Sequence, residues 1–203
     1  NTAVGNAALM TLDAGANAYN VAVGYNAGKL MTTGTHNTIL GALAGDAVTT
    51  GFDNVLIGKN AGGAMTIGNN NVAVGEGALA TNVAADRNVA IGEASLASMT
   101  AASTLDTFNT AVGYRSGTAV TTGLYNTVLG GEALKTNVDG DKNTAIGFRA
   151  LKSFEADTDG HGNNTAVGAN AGENISTGTS NTAIGTSAIG SGVTTGNDNV
   201  AIG

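Results

Sequence analysis

The residues best suited to chemistry lie in one loop. In ADTDGHGNN, Ala156 to Asn164, the side chains of Asp157, Asp159 and His161 alternate beside Gly162, and alternate ligands on a glycine-rich loop suit a hard cation such as calcium. The distal Glu that would complete an EF-hand is missing, its place being held by Gly168. A solvated polar loop is the simpler reading, and no metal or cofactor is expected. Asp139 and Asp141 in VDGDK are residues that a turn ordinarily uses. His36 and His161 are the only histidines, and neither lies in a recognisable Ser or Asp motif of a nucleophilic enzyme. GYNAGKL from Gly24 is one residue short of a phosphate loop and carries Leu30 where Ser or Thr is required. Pairs such as Thr49-Thr50 and Thr121-Thr122 raise ice binding, but the array is broken after three coils, and β-propensity explains them. A polysaccharide-processing site would need clustered carboxylates, and of the two long loops, after Leu96 and Leu151, the first holds only Asp106. No catalytic residue is identified, and an enzyme is not expected.

What must position these residues is a repeat that fills the chain. The phrase Asn-[Thr/Val]-x-[Val/Ile/Leu]-Gly begins at residues 1, 20, 37, 54, 71, 88, 109, 126, 143, 164, 181 and 199, a base period of 17 with a few longer intervals. Residues 1–203 thus form one repeat array and leave no unrepeated domain. The first column is invariably Asn (Asn20, Asn37, Asn109, Asn126) and the fifth invariably Gly (Gly24, Gly41, Gly113, Gly130). The fourth is always aliphatic, as at Val112 and Leu129, and the third is Ala in nine of the twelve copies. The ninth position is Gly in five copies and Leu or Ile in six, and every lengthened coil belongs to the Leu/Ile kind. Added residues therefore leave from one corner of the repeat without disturbing the stack.

Composition agrees with a repetitive, thin-cored molecule. The 203 residues include 32 Gly, no Pro, no Cys and eight Phe or Tyr, so disulfides and thiolate metal sites are excluded. A net charge of −7 without a Lys/Arg cluster disfavours nucleic acid or an anionic bilayer as partner. No apolar run approaches the roughly 18 residues of a membrane span. Since the array begins and ends on the phrase without caps, the chain is expected to be a segment of a longer polypeptide.

Glycine recurs too often for a helix, and β-branched residues at alternate positions predict a short strand closed by a glycine turn. The expectation is an all-β, parallel β-solenoid or β-roll of about twelve coils, each about 17 residues with room for two strands. At about 4.8 Å per coil the rod is on the order of 50 Å long, with the first-column Asn residues forming a ladder. Positions two and four face one way and position three the other, yet both faces are apolar. The fourth column is expected inside its own coil and the Ala column against a neighbouring copy, giving a parallel homo-oligomer, a trimer for a closed fibre. Tyr19, Phe108 and Tyr125 precede a phrase, and Tyr25, Tyr114 and Phe148 follow one. Subunit packing is the simpler role for them, stacking against receptor sugars the alternative. Phe154, Glu155, Asp157, Asp159 and His161 make up the candidate receptor loop.

NNVAVG at Asn70 to Gly75, NVAIG at Asn88 to Gly92 and NDNVAIG at Asn197 to Gly203 resemble the head repeats of trimeric autotransporter adhesins, which form left-handed parallel β-rolls in trimers. The fuller NTAVGYNAG…TTG pattern more closely resembles tandem repeats of bacteriophage tail fibres. The resemblance covers the whole chain. Asn stands where adhesin heads usually have Ser, and these coils are longer. It implies a shaft or attachment role, in a virion appendage or at a bacterial surface, with a glycan or protein receptor on the host, and it carries over no catalytic residue.

Overall fold

The computed structural model describes residues 1–13, 17–100, 105–156, 161–190, 192 and 194–203. Each copy of the phrase contributes one three-residue strand: β1 (Thr2–Val4), β2 (Val21–Val23), β3 (Thr38–Leu40), β4 (Val55–Ile57), β5 (Val72–Val74), β6 (Val89–Ile91), β7 (Thr110–Val112), β8 (Thr127–Leu129), β9 (Thr144–Ile146), β10 (Thr165–Val167), β11 (Thr182–Ile184) and β12 (Val200–Ile202). They form one sheet in chain order. Every pairing is parallel and sets like position on like, as Thr110 on Thr127 and Val112 on Leu129. The chain is therefore a parallel β-solenoid. A second strand per coil, expected from the repeat length, does not form among the described residues. The rest of each coil is a run of turns, still bonded from coil to coil, as in Leu9 N–H to Ala27 O at 3.0 Å and Thr49 N–H to Thr66 O at 2.8 Å.

The fifth-column glycines end the strands because nothing larger fits. Gly113 sits at φ 137°, and a Cβ there would lie 2.6 Å from the carbonyl oxygen of Gly130. Backbone stacks directly on backbone down this column.

The strand faces are the reverse of those expected. From β2 to β11 the third position, mostly Ala, is buried within the coil. The second and fourth positions look outward, so Val112 is half-buried and Leu129 exposed. The physical reason is room. A coil with one strand and tight turns encloses a narrow core that Ala lines in most copies, with Ile39, Leu56 and Val128 as the larger residues in that column, while the aliphatics of the fourth column lie outside.

Core volume is set at positions nine and twelve together. The five Gly-type coils put an apolar side chain three residues on, at Met31, Val48, Met65, Val120 and Ile175, all buried. A Cβ at Gly45 would meet Leu56 Cδ1 at 2.7 Å, so the glycine makes way for the core. Two 17-residue coils instead use Leu79 and Leu134, and follow them with the buried Asn82 and Asn137. Asn82 accepts from Ala85 N–H at 2.9 Å and donates to Ala85 O at 3.0 Å, closing the corner by itself. Coils that carry two large residues, Leu9 with Leu12, Leu96 with Met99 and Leu151 with Phe154, are the 19- and 21-residue ones. Extra chain thus accompanies extra core volume.

From Asn20 to Asn181 the Asn column is buried. Asn54 Nδ2 donates to Asn37 Oδ1 at 3.0 Å and to Gly68 O at 2.8 Å. Its Oδ1 accepts from Asn71 N–H at 3.0 Å and Asn71 Nδ2 at 3.3 Å. All four capacities used here serve neighbouring backbone or the adjacent Asn. At the 21-residue interval from Asn88 to Asn109 the Asn109 backbone N–H still reaches Asn88 Oδ1 at 3.2 Å. Asn109 Nδ2 donates to Gly123 O and not to Asn88 Oδ1, where the Thr107 hydroxyl takes its place at 2.6 Å.

Candidate interaction surface

The outward strand face is the most distinctive surface of the molecule. Its inner columns are Thr or Val at position two and Val, Ile or Leu at position four, and Leu40 and Leu129 remain 47% and 49% exposed. Isolated apolar side chains on a surface are ordinary, but a continuous column of them over twelve coils is an unpartnered face.

Two further columns border it. The residue before each phrase takes a left-handed conformation, at φ 53° for Tyr19, 49° for Phe108 and 59° for Tyr125. In most coils a backbone bond to the preceding coil fixes it, as Tyr125 N–H to Thr107 O at 2.9 Å. Side chains in this column stack along the rod. Tyr19 lies on His36 with ring centroids 5.4 Å apart, Phe108 on Tyr125 at 5.8 Å, and Arg87 over Phe108 at 5.6 Å. Arg87 also pairs with Asp106. The column after each phrase holds Tyr25, Lys59, Glu76, Tyr114 and Phe148, all exposed, with Lys59 bridged to Glu76 at 2.8 Å. Arg115 and Arg149 lie over Tyr114 and Phe148 at 5.0 and 4.8 Å.

Glu132 is the electrostatic centre of that corner. It accepts from Lys135 Nζ at 2.7 Å and Arg149 Nε at 2.9 Å. These bonds hold its carboxyl well below the ordinary 4.5, at about 2.

The loop singled out for chemistry divides. Asp157 and Asp159 lie outside the described residues, and His161 is exposed. Phe154 is fully buried in the core beneath Gly140, so its expected place in an exposed receptor loop is corrected. Glu155 is half-buried, and its carboxyl is raised first by burial and then by the Asp139 carboxylate. Among the described residues no group of three acidic or His side chains converges, and no cavity opens. In three of the four pairs the first Thr is spent on the frame: Thr32, Thr49 and Thr121 donate to the next coil's carbonyl at 3.2, 3.0 and 3.3 Å.

Sequence reasoning found the Asn, Gly and aromatic columns but missed the left-handed corners, because Tyr, Phe and Leu are poor advertisements for positive φ. Compared with family models, curated proteins and solved structures, the chain matches none.

Proposed function

We propose that this chain is a structural segment of a parallel homotrimeric fibre, the shaft of a tail fibre or related virion appendage that holds a host-attachment tip away from the particle. The observation that carries the reading is the outward apolar strand face, continuous over twelve coils and without a partner among the described residues of its own chain. It measures about 50 Å by about 15 Å, close to the roughly 800 Å² per partner of a stable interface. Every copy presents the same columns, so closed symmetry about an axis parallel to the rod covers this face on all copies at once. The resemblance of the NTAVG phrases to tail-fibre repeats supports the virion setting. The exposed aromatic stacks at the corners favour a second reading, an adhesin-type head that itself contacts a host glycan. Light scattering on the purified chain tests the assembly. A mass three times that of the chain is the expected result, and a stable monomer at micromolar concentration overturns the reading.

A further inference from the structure

We infer that Tyr114, Arg115, Phe148 and Arg149 form a binding site for an acidic saccharide, a chain of carboxylate-bearing sugar rings laid along the rod across Gly131. The inference rests on the second reading, contact with a host glycan, and adds the site and the chemical class of the ligand.

The pieces recur at alternate coils. The two residues that follow the phrase are Tyr114-Arg115 in one coil, Gly131-Glu132 in the next and Phe148-Arg149 in the one after. Elsewhere the seventh column holds Ala, Asn, Leu, Gly or Ser, so charge enters it in these three coils alone. Arg115, Glu132 and Arg149 sit at φ 52°, 56° and 58°. Each backbone N–H is pinned to the coil before, on Glu93 O at 2.9 Å, Tyr114 O at 2.8 Å and Gly131 O at 3.0 Å. On this fixed backbone each guanidinium lies over the ring beside it, 5.0 Å from the Tyr114 centroid and 4.8 Å from that of Phe148. The two aromatic residues are 47% and 51% exposed. Between them Gly131 leaves a step without a side chain, where an added Cβ would come no closer than 3.6 Å to the Phe148 ring. Alternate coils are about 9.6 Å apart, the reach of a disaccharide in an extended chain.

Charge selects the ligand. Arg115 makes no ion pair among the described residues, and Arg149 gives only its Nε to Glu132. Glu132 is in turn held by Lys135 at 2.7 Å. Arg115, Lys135 and Arg149 thus outnumber Glu93 and Glu132 at this corner, in a chain of net charge −7. A guanidinium with its N–H edge in water takes a carboxylate through two parallel bonds, and an exposed aromatic face takes the C–H face of a sugar ring. The two together favour a sugar that carries a carboxylate. The other cation-ring pair at a strand border lacks this capacity, because Arg87, over Phe108, is already paired with Asp106.

Fluorescence anisotropy of labelled oligogalacturonate, hyaluronan and polysialate fragments, titrated with the purified chain, tests the site. At least one is expected to bind, with its carboxyl-reduced form and polyglutamate each about tenfold weaker or more. Arg115→Gln and Tyr114→Ala are each expected to weaken that binding about tenfold with the circular dichroism unchanged, whereas Lys59→Gln, on the same border but away from Gly131, leaves it as it was. Equal binding of polyglutamate, or equal loss in Lys59→Gln, overturns the site in favour of a general attraction for anions. A carboxyl-reduced sugar that binds as tightly and survives Arg115→Gln overturns the acidic class and leaves the glycan reading standing. Failure of every saccharide, acidic or reduced, to bind at millimolar concentration overturns both.

Discussion

A buried amide in the Asn column is irreplaceable because its neighbours depend on both of its ends. Asn54→Ala strands Gly68 O and the Asn71 backbone N–H, each bonded to the Asn54 side chain at 2.8 and 3.0 Å. With about 1–3 kcal/mol for each buried group left unsatisfied, the loss in a denaturant titration is expected to be about 2–6 kcal/mol. A second prediction concerns acid. Because the folded Glu132 carboxyl is depressed from 4.5 to about 2, its ion pairs stabilise the fold above pH about 4.5, and that stabilisation is lost as pH falls from there towards 2. Glu132→Gln should flatten this part of the stability profile, and an unchanged acid limb would show that Lys135 and Arg149 do not hold the charge. The Asn column was legible as an invariant residue with no catalytic company. Glu132 was not, since its partners Lys135 and Arg149 are brought together by a turn and by the stacking of adjacent coils, not by a motif.

Within the single coil, the glycines are unequal. Gly113→Ala places a Cβ 2.6 Å from the Gly130 carbonyl and is expected to cost about 3 kcal/mol or more, as strained backbone and displaced stacking add. Gly77→Ala has left-handed geometry at φ 67° but nothing within 4 Å, so about 1 kcal/mol is expected. Thermal melts of the two variants check the contrast. The invariance of the fifth position was visible in the chain, and so was the Gly or Leu choice at the ninth. The compensation at the twelfth was not, because Asn82 fills a core position that hydropathy assigns to an aliphatic. The inward strand face was misread for a related reason. Ala is apolar enough to suit either side of a strand, and only the narrowness of a one-strand coil decides where Leu129 must go.

For the molecule as a whole, the two strand faces should separate folding from assembly. Ala111→Asp puts a carboxylate into the fully buried column and is expected to leave the chain unfolded by circular dichroism. Val112→Asp, one residue on and half-buried facing out, should preserve the single-chain spectrum and lower the mass seen by light scattering. Equal damage from both would mean that the outer face is needed to build the coil itself. The coil-by-coil hydrogen bonding has a mechanical corollary. A rod whose turns, among the described residues, are bonded to the turns beside them, when pulled from its ends, loads its contacts in series and unspools one turn at a time. Each 17-residue turn would release roughly 50–55 Å of contour, at up to about 3.6 Å per residue less the coil height. The 21-residue turns after Asn88 and Asn143 would give steps longer by about 14 Å. In a single-molecule extension trace, the uneven spacing of the phrase would then be read out directly as a ruler of force peaks.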